Sequence, residues 1–287
     1  MTQYARRPSV LLGLIGQDIQ RSRTPEMHMQ EGEAQDLRLI YRLIDLTKLG
    51  LGPEALPELL TAAERTGFTG LNITHPCKQL VIPHLDELSS DARALGAVNT
   101  VLFKDGKRIG HNTDWSGFAE PFRRKMAGAS LDRVVQIGAG GAGAAVAHAA
   151  MVLGVKQLTL VDIDPERAAR VADNLNRHFG AGRARAATDV AAAVAEADGI
   201  INATPIGMDG HPGMPLPAEL LRPDLWVAEV IYFPLETELL RRARALGART
   251  IDGGGMAVFQ AVAAFRLFTG LEPDSDRMIA HFASMGS

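Results

Sequence analysis

Short apolar runs alternate along the chain with longer segments whose apolar residues return every three to four positions. The runs at 10–16, 38–46 and 68–73 read as strands. The segments at 24–35 and 53–66 read as helices, the first entered through Thr24-Pro25-Glu26 with Thr24 as N-cap, the second closed by Gly67. Helical segments at 78–85 and 89–95 follow, then a hairpin whose Asp105-Gly106 pair is a two-residue turn signal, then a helix at 115–126. After the polar, glycine-containing stretch 127–132 the rhythm restarts. Strands are predicted at 133–137, 157–161, 199–203, 226–232 and 249–252, and helices at 144–153, 166–179, 189–197, 235–246 and 256–268, with Gly253-Gly254-Gly255 read as a hinge. The first run reads as a buried parallel strand, and the strand–helix rhythm gives an α/β fold with parallel sheets.

Size and charge narrow this picture. The 287 residues exceed one usual core, so two domains are expected. With 30 basic against 33 acidic side chains, a net charge of −3 offers no field for nucleic acid or an anionic membrane, and a small-molecule partner is expected instead. No apolar run reaches the roughly 18 to 20 residues of a membrane span, and the stretch up to Pro8 lacks a signal-type apolar core. The single cysteine, Cys77, cannot form an internal disulfide, and the expected location is cytoplasmic.

The candidate chemistry sits where strands give way to loops. Asn72, Thr74 and Lys78 crowd together around Pro76 after the third strand, Ser22 and Thr24 flank a helix entrance able to hold a carboxylate, and Asn99 and Asp114 stand at similar junctions. A simpler reading makes Ser22, Thr24 and Asp114 helix caps. Gln260, on an otherwise apolar helix, needs a hydrogen-bond partner, from a ligand or from backbone. The clearest signal is Gly138-Ala139-Gly140-Gly141-Ala142-Gly143, which matches G-x-G-x-x-G between a strand and a helix and so predicts a dinucleotide pyrophosphate on the helix N-terminus. At the end of the next strand Asp164 precedes a proline and a helix and is the natural cap, leaving Asp162 for the adenine ribose hydroxyls. A carboxylate there repels a 2′-phosphate, and Ile163 rather than arginine follows it, so NAD is expected over NADP. Thr204 lies in a further loop at a strand's carboxyl end, against the expected cofactor.

Together these motifs resemble the shikimate dehydrogenase family over nearly the whole chain. The residues that carry the resemblance are Ser22-Arg23-Thr24-Pro25, Asn72-Ile73-Thr74-His75-Pro76-Cys77-Lys78, Gly96-Ala97-Val98-Asn99-Thr100, Asn112-Thr113-Asp114, the glycine loop, Asn202-Ala203-Thr204-Pro205 and Gln260. The resemblance implies an N-terminal α/β substrate domain (1–117), a Rossmann-like, doubly wound cofactor domain (118–254), and C-terminal helices (255–287) returning to the first domain. It implies Lys78 and Asp114 as the catalytic pair, and Ser22, Thr24, Asn72, Thr74, Asn99, Tyr232 and Gln260 around the substrate. Asp162, Thr204, Gly255 and the loop residues Gly138, Ala139, Gly140, Gly141, Ala142 and Gly143 would meet the cofactor, and no metal is implied.

The expected activity is NAD-dependent interconversion of quinate with 3-dehydroquinate and of shikimate with 3-dehydroshikimate, by a monomer or homodimer. A strict biosynthetic shikimate dehydrogenase, and a non-catalytic quinate- or cofactor-binding regulator, stay open as alternatives. Three positions depart from the family's common pattern: threonine at Thr24, Asp162 without a following arginine, and Cys77 where an aromatic residue is usual. Cys77 is either a small apolar filler or a thiolate tuned by Lys78.

Overall fold

The structure is a computed structural model that describes residues 7–285; the first six residues, part of the stretch read for a leader, lie outside the described residues. In chain order the strands are β1 (Ser9–Gly16), β2 (Arg38–Asp45), β3 (Gly70–Ile73), β4 (Glu87–Leu88), β5 (Thr100–Lys104), β6 (Lys107–His111), β7 (Arg133–Ile137), β8 (Gln157–Val161), β9 (Ala184–Ala187), β10 (Gly199–Asn202), β11 (Trp226–Glu229) and β12 (Arg249–Ile251). The helices are α1 (Thr24–Ala34), α2 (Leu46–Leu49), α3 (Leu56–Arg65), α4 (Cys77–Leu80), α5 (Ser90–Leu95), α6 (Asp114–Lys125), α7 (Gly141–Val152), α8 (Pro165–Phe179), α9 (Val190–Ala195), α10 (Glu238–Ala245), α11 (Gly254–Thr269) and α12 (Ser275–Ser284). The described residues form two compact units, one of 7–113 with 261–285 and one of Asp114–Gln260, so the division falls inside α11.

The first unit is built on a mixed sheet ordered β2-β1-β3-β5-β6-β4, with β1 parallel to β2 and β3 and with β5 antiparallel to β3 and β6. Both faces of β1 are covered, which is why its sequence is apolar throughout. Leu12 and Leu14 face Leu39, Tyr41, Phe265 and Phe268 on one side, and Ile15 faces Leu56, Leu60 and Ile73 on the other. The C-terminal helices thus return to the first unit. Their attachment includes a buried charge: Glu31 on α1 takes Arg277 of α12 bidentately at 2.7 and 2.8 Å and also accepts from Gln35 Nε2 and the Asp274 N–H. His28 sits fully buried among Tyr41, Phe265 and Phe268, and burial lowers its pKa to about 3, so it is a neutral core ring.

The second unit is a Rossmann-like sheet of six parallel strands ordered β12-β11-β10-β7-β8-β9 with apolar clusters on both faces. The order reverses between β7 and β10, the crevice where such sheets take their ligands.

Three local expectations change. The strand expected at 226–232 stops at Glu229, because the Glu229 carboxylate itself accepts the N–H groups of Val230 and Ile231 and turns the chain away. The helix expected from 256 begins two residues earlier: Gly254 and Gly255, read as part of a hinge, open α11, and a side chain at Gly253 would overlap the Val230 carbonyl. Thr24 is the first residue of α1 rather than its cap, because the helix begins one residue earlier, with the Arg23 carbonyl accepting the Met27 N–H at 3.1 Å; the Thr24 N–H is taken by Ser22 Oγ at 3.3 Å.

Candidate active site

In the first sheet β1, β2, β3 and β6 all run out at one edge, and antiparallel β5 starts there, since Asn72 pairs with Thr100 and Thr100 with His111. Polar residues from five connections therefore share that edge. Asn72 is buried: its Oδ1 accepts from Tyr41 Oη at 2.7 Å, while its Nδ2 donates to Thr100 Oγ1 at 3.0 Å and to the Asn99 carbonyl at 3.3 Å. The Thr100 hydroxyl passes the chain on to Asn99 Oδ1 at 3.0 Å, which also accepts the Thr113 N–H at 2.8 Å, and Asn99 Nδ2 donates to Thr113 Oγ1 at 2.9 Å. Both amides are thereby fixed one way round.

Half-buried Thr74 accepts the Cys77 N–H at its carbonyl and so turns the chain into α4, where Lys78 is also half-buried. The Lys78 carbonyl accepts the Val98 N–H at 2.8 Å, tying α4 to the residue before Asn99. Cys77 beside it is fully buried and burial raises its thiol pKa, so it is an apolar filler and not a thiolate. The loop before Ser22 and Thr24 is held by Asp45, whose carboxylate accepts the N–H groups of Asp18, Ile19 and Thr47 and the Gln20 side chain. The Gln20 bond, with the backbone amides, lowers the Asp45 pKa. Asp45 and Tyr41 went unread in the sequence, although a carboxylate ending an apolar strand was the available signal.

In the second unit Gly138 leaves β7 with φ +98°, its N–H on the Val161 carbonyl at 2.8 Å. Buried Gln136 pins the loop from beneath, donating to the carbonyls of Gly138 and Gly143 at 2.8 Å each. Gly140 precedes α7 without a side-chain cap, and a Cβ at Gly140 or Gly141 would touch nothing within 4 Å, leaving an open surface over the helix N-terminus. This opening fits a dinucleotide pyrophosphate.

Asp162, at the tip of β8, accepts the Ala139 N–H at 2.6 Å and the Asp164 N–H at 2.9 Å, with Arg167 Nη1 at 3.8 Å; its side chain is 5% exposed. Asp164 caps α8, and Ile163 between the two acids is 98% exposed. Thr204 bonds to Asn202 through both its N–H and its hydroxyl. Asp114 is the first residue of α6 and follows Thr113 directly, so the bonds from Thr113 to Asn99 fix the backbone leading into it. Gln260 is half-buried on α11, where α6 comes close: a Cβ at Gly117 would lie 3.1 Å from Gln260 Cβ. Gly255 packs on Pro121, and Tyr232 is exposed beyond β11.

A parallel sheet with a strand order that reverses beside a glycine-lined helix N-terminus, followed by a carboxylate-tipped strand, is the arrangement of a dinucleotide-binding Rossmann domain. Comparison with known proteins narrows the class. The family descriptions "Shikimate dehydrogenase substrate binding domain" and "Shikimate 5'-dehydrogenase C-terminal domain" match residues 14–101 and 253–281. A shikimate dehydrogenase (NADP(+)) of Streptomyces avermitilis is 63% identical over 96% of both chains. A quinate/shikimate dehydrogenase (NAD(+)) of Corynebacterium efficiens is 53% identical over 96% of this chain and 99% of that one. The solved quinate dehydrogenase of Corynebacterium glutamicum in complex with NAD superposes with a TM-score of 0.93 at 50% identity, covering 97% of this chain and all (100%) of that one. The chain belongs to the shikimate dehydrogenase family. Among its described residues no helix is long and apolar enough to cross a membrane.

Proposed function

We propose that this chain is an NAD-dependent dehydrogenase that interconverts quinate with 3-dehydroquinate and shikimate with 3-dehydroshikimate. The observation that carries the cofactor choice is the Asp162 carboxylate, fixed on the glycine loop at the tip of β8 and followed by an exposed isoleucine. A negative charge at that point disfavours a ribose 2′-phosphate and accepts hydrogen bonds from free ribose hydroxyls. A second reading, use of NADP, is favoured by Arg167, whose guanidinium already lies 3.8 Å from Asp162. The ratio of kcat/KM for the two cofactors decides between them. A ratio of at least tenfold in favour of NAD is expected, reversed or levelled in Asp162→Asn; a preference of the unaltered enzyme for NADP sinks the first reading.

The bound nicotinamide supplies the hydride acceptor, and the protein supplies position and proton transfer. Ser22 and Thr24, at the head of α1, hold the substrate carboxylate with their hydroxyls. Asn72, Thr74 and Asn99 meet the ring hydroxyls, their amides turned by Tyr41, Thr100 and Thr113. Lys78 Nζ takes the proton from the hydroxyl as the C–H hydride leaves the same carbon, and Asp114 orients the lysine and shares that proton, the two acting as a pair. In this reading Thr24 trims the carboxylate pocket with its methyl group. Thr24→Ser is expected to change the quinate-to-shikimate ratio of kcat/KM severalfold; an unchanged ratio would leave Thr24 without a part in specificity.

A further inference from the structure

Glu229 is a heavily engaged acid of the second unit and has no part in the mechanism above. It ends β11, is 1% exposed, and accepts hydrogen bonds only: from Asn202 Nδ2 at 3.0 and 3.1 Å on its two oxygens, from the N–H groups of Val230 and Ile231 at 3.0 and 3.2 Å, and from the Thr237 hydroxyl at 3.1 Å. Asn202 in turn donates to the Ile206 carbonyl and accepts from the Thr204 N–H and hydroxyl. One carboxylate therefore shapes two consecutive strand-end connections, the one that carries Thr204 and the one that leads to Tyr232. We propose that Glu229 is a positioning residue for the cofactor: its ionised carboxylate holds the Thr204 loop, through Asn202, and the start of the Tyr232 segment in the form that receives the nicotinamide. This rests on the reading that the Thr204 loop lies against the cofactor.

The donor set explains why charge matters. Every neighbour of the carboxylate presents a hydrogen, and the Thr237 hydroxyl, the one group able to turn round, could accept only by giving up its own bond to the carboxylate, with one lone pair already on the Leu240 N–H at 3.3 Å. A proton placed on Glu229 therefore faces donors. Among the described residues no cation offsets the burial: Glu236 is paired with Arg244, Glu238 with Arg241 and Arg242, Asp209 and His211 on the β10–β11 connection are exposed, and Asp252 beyond β12 takes the Gly254 N–H and Lys125. Burial consequently raises the Glu229 pKa to about 7 against the pull of its donors, so the network loosens as pH falls through neutrality.

The test is direct titration with NADH, followed by its fluorescence, from pH 5.5 to 8.5 and with no substrate present. The unaltered protein is expected to bind about tenfold more tightly at the alkaline end, the loss of a charge-assisted bond, whereas Glu229→Gln binds at the weaker level throughout with a flattened profile. Glu229→Asp, which keeps the charge, is expected to restore part of the slope. Equal affinity and equal slope in Glu229→Gln overturn the inference. Should that variant fail to fold, Thr237→Val removes one donor and is expected to move the midpoint of the profile upward relative to Thr237→Ser; an unmoved midpoint overturns it equally. Failure of the unaltered protein to bind NADH at any pH would instead overturn the cofactor reading itself.

Discussion

Lys78→Ala is expected to lower kcat by about two to four orders of magnitude, the range over which a positioned acid or base contributes. The lysine stands on a four-residue helix whose ends are fixed: Thr74 turns the chain into it, and the Lys78 carbonyl receives the Val98 N–H. Removing the side chain leaves those backbone bonds in place, so the loss belongs to the chemical step and not to the fold. Steady-state kinetics with quinate and with shikimate at saturating cofactor measure it, and KM for the substrate should change far less than kcat. Asp114→Asn is expected to lower kcat by a smaller factor, and the double variant by little more than Lys78→Ala alone, since two groups acting on one proton are not additive. A Lys78→Ala enzyme with kcat within a few-fold of normal would remove the lysine from the mechanism.

The second large effect is expected at Gly138. A Cβ there would lie 2.5 Å from the Ala203 carbonyl oxygen and 2.9 Å from the Thr204 nitrogen, on a backbone already at φ +98°. Such strain costs roughly 1–3 kcal/mol before any overlap is relieved, so Gly138→Ala should raise the KM for cofactor about a hundredfold and lower the melting temperature. Gly141→Ala is the informative partner. Its Cβ meets nothing within 4 Å, so the protein should melt as usual, and a rise in cofactor KM there reports a ligand lying over that face. Normal cofactor kinetics in Gly138→Ala would show that the loop is not a binding element.

What was legible in the sequence was local. The glycine loop, the Asp164 cap and the Asp105-Gly106 turn, whose residues adopt φ of 52° and 72°, are each specified within a few positions and stand as expected. The placement of polar residues at strand ends was legible too, because a buried strand takes most of its polar groups where it stops, Gln136 within β7 and Thr159 within β8 being exceptions. Partnerships across the sheets were not. Tyr41 meets Asn72 and Glu229 meets Asn202 only once the strand order is known, and nothing in the local pattern distinguishes an acid that ends a strand by capping its own successors from one that faces solvent. The glycines at 253–255 show the same limit, since close packing against Val230 and Pro121 and chain flexibility both favour a small residue.

The division of the chain also bears on how it is made. The residues that complete one face of the first sheet, Ala264, Phe265 and Phe268, are translated only after the whole of Asp114–Gln260. On the ribosome the N-terminal sheet therefore waits with Leu12, Leu14 and Leu39 uncovered while the later-synthesised parallel sheet already has every strand it needs. One face of β1 and β2 is thus completed after the strands of the second sheet have been made, and apolar surface left bare over such an interval is what makes partly folded chains prone to aggregate.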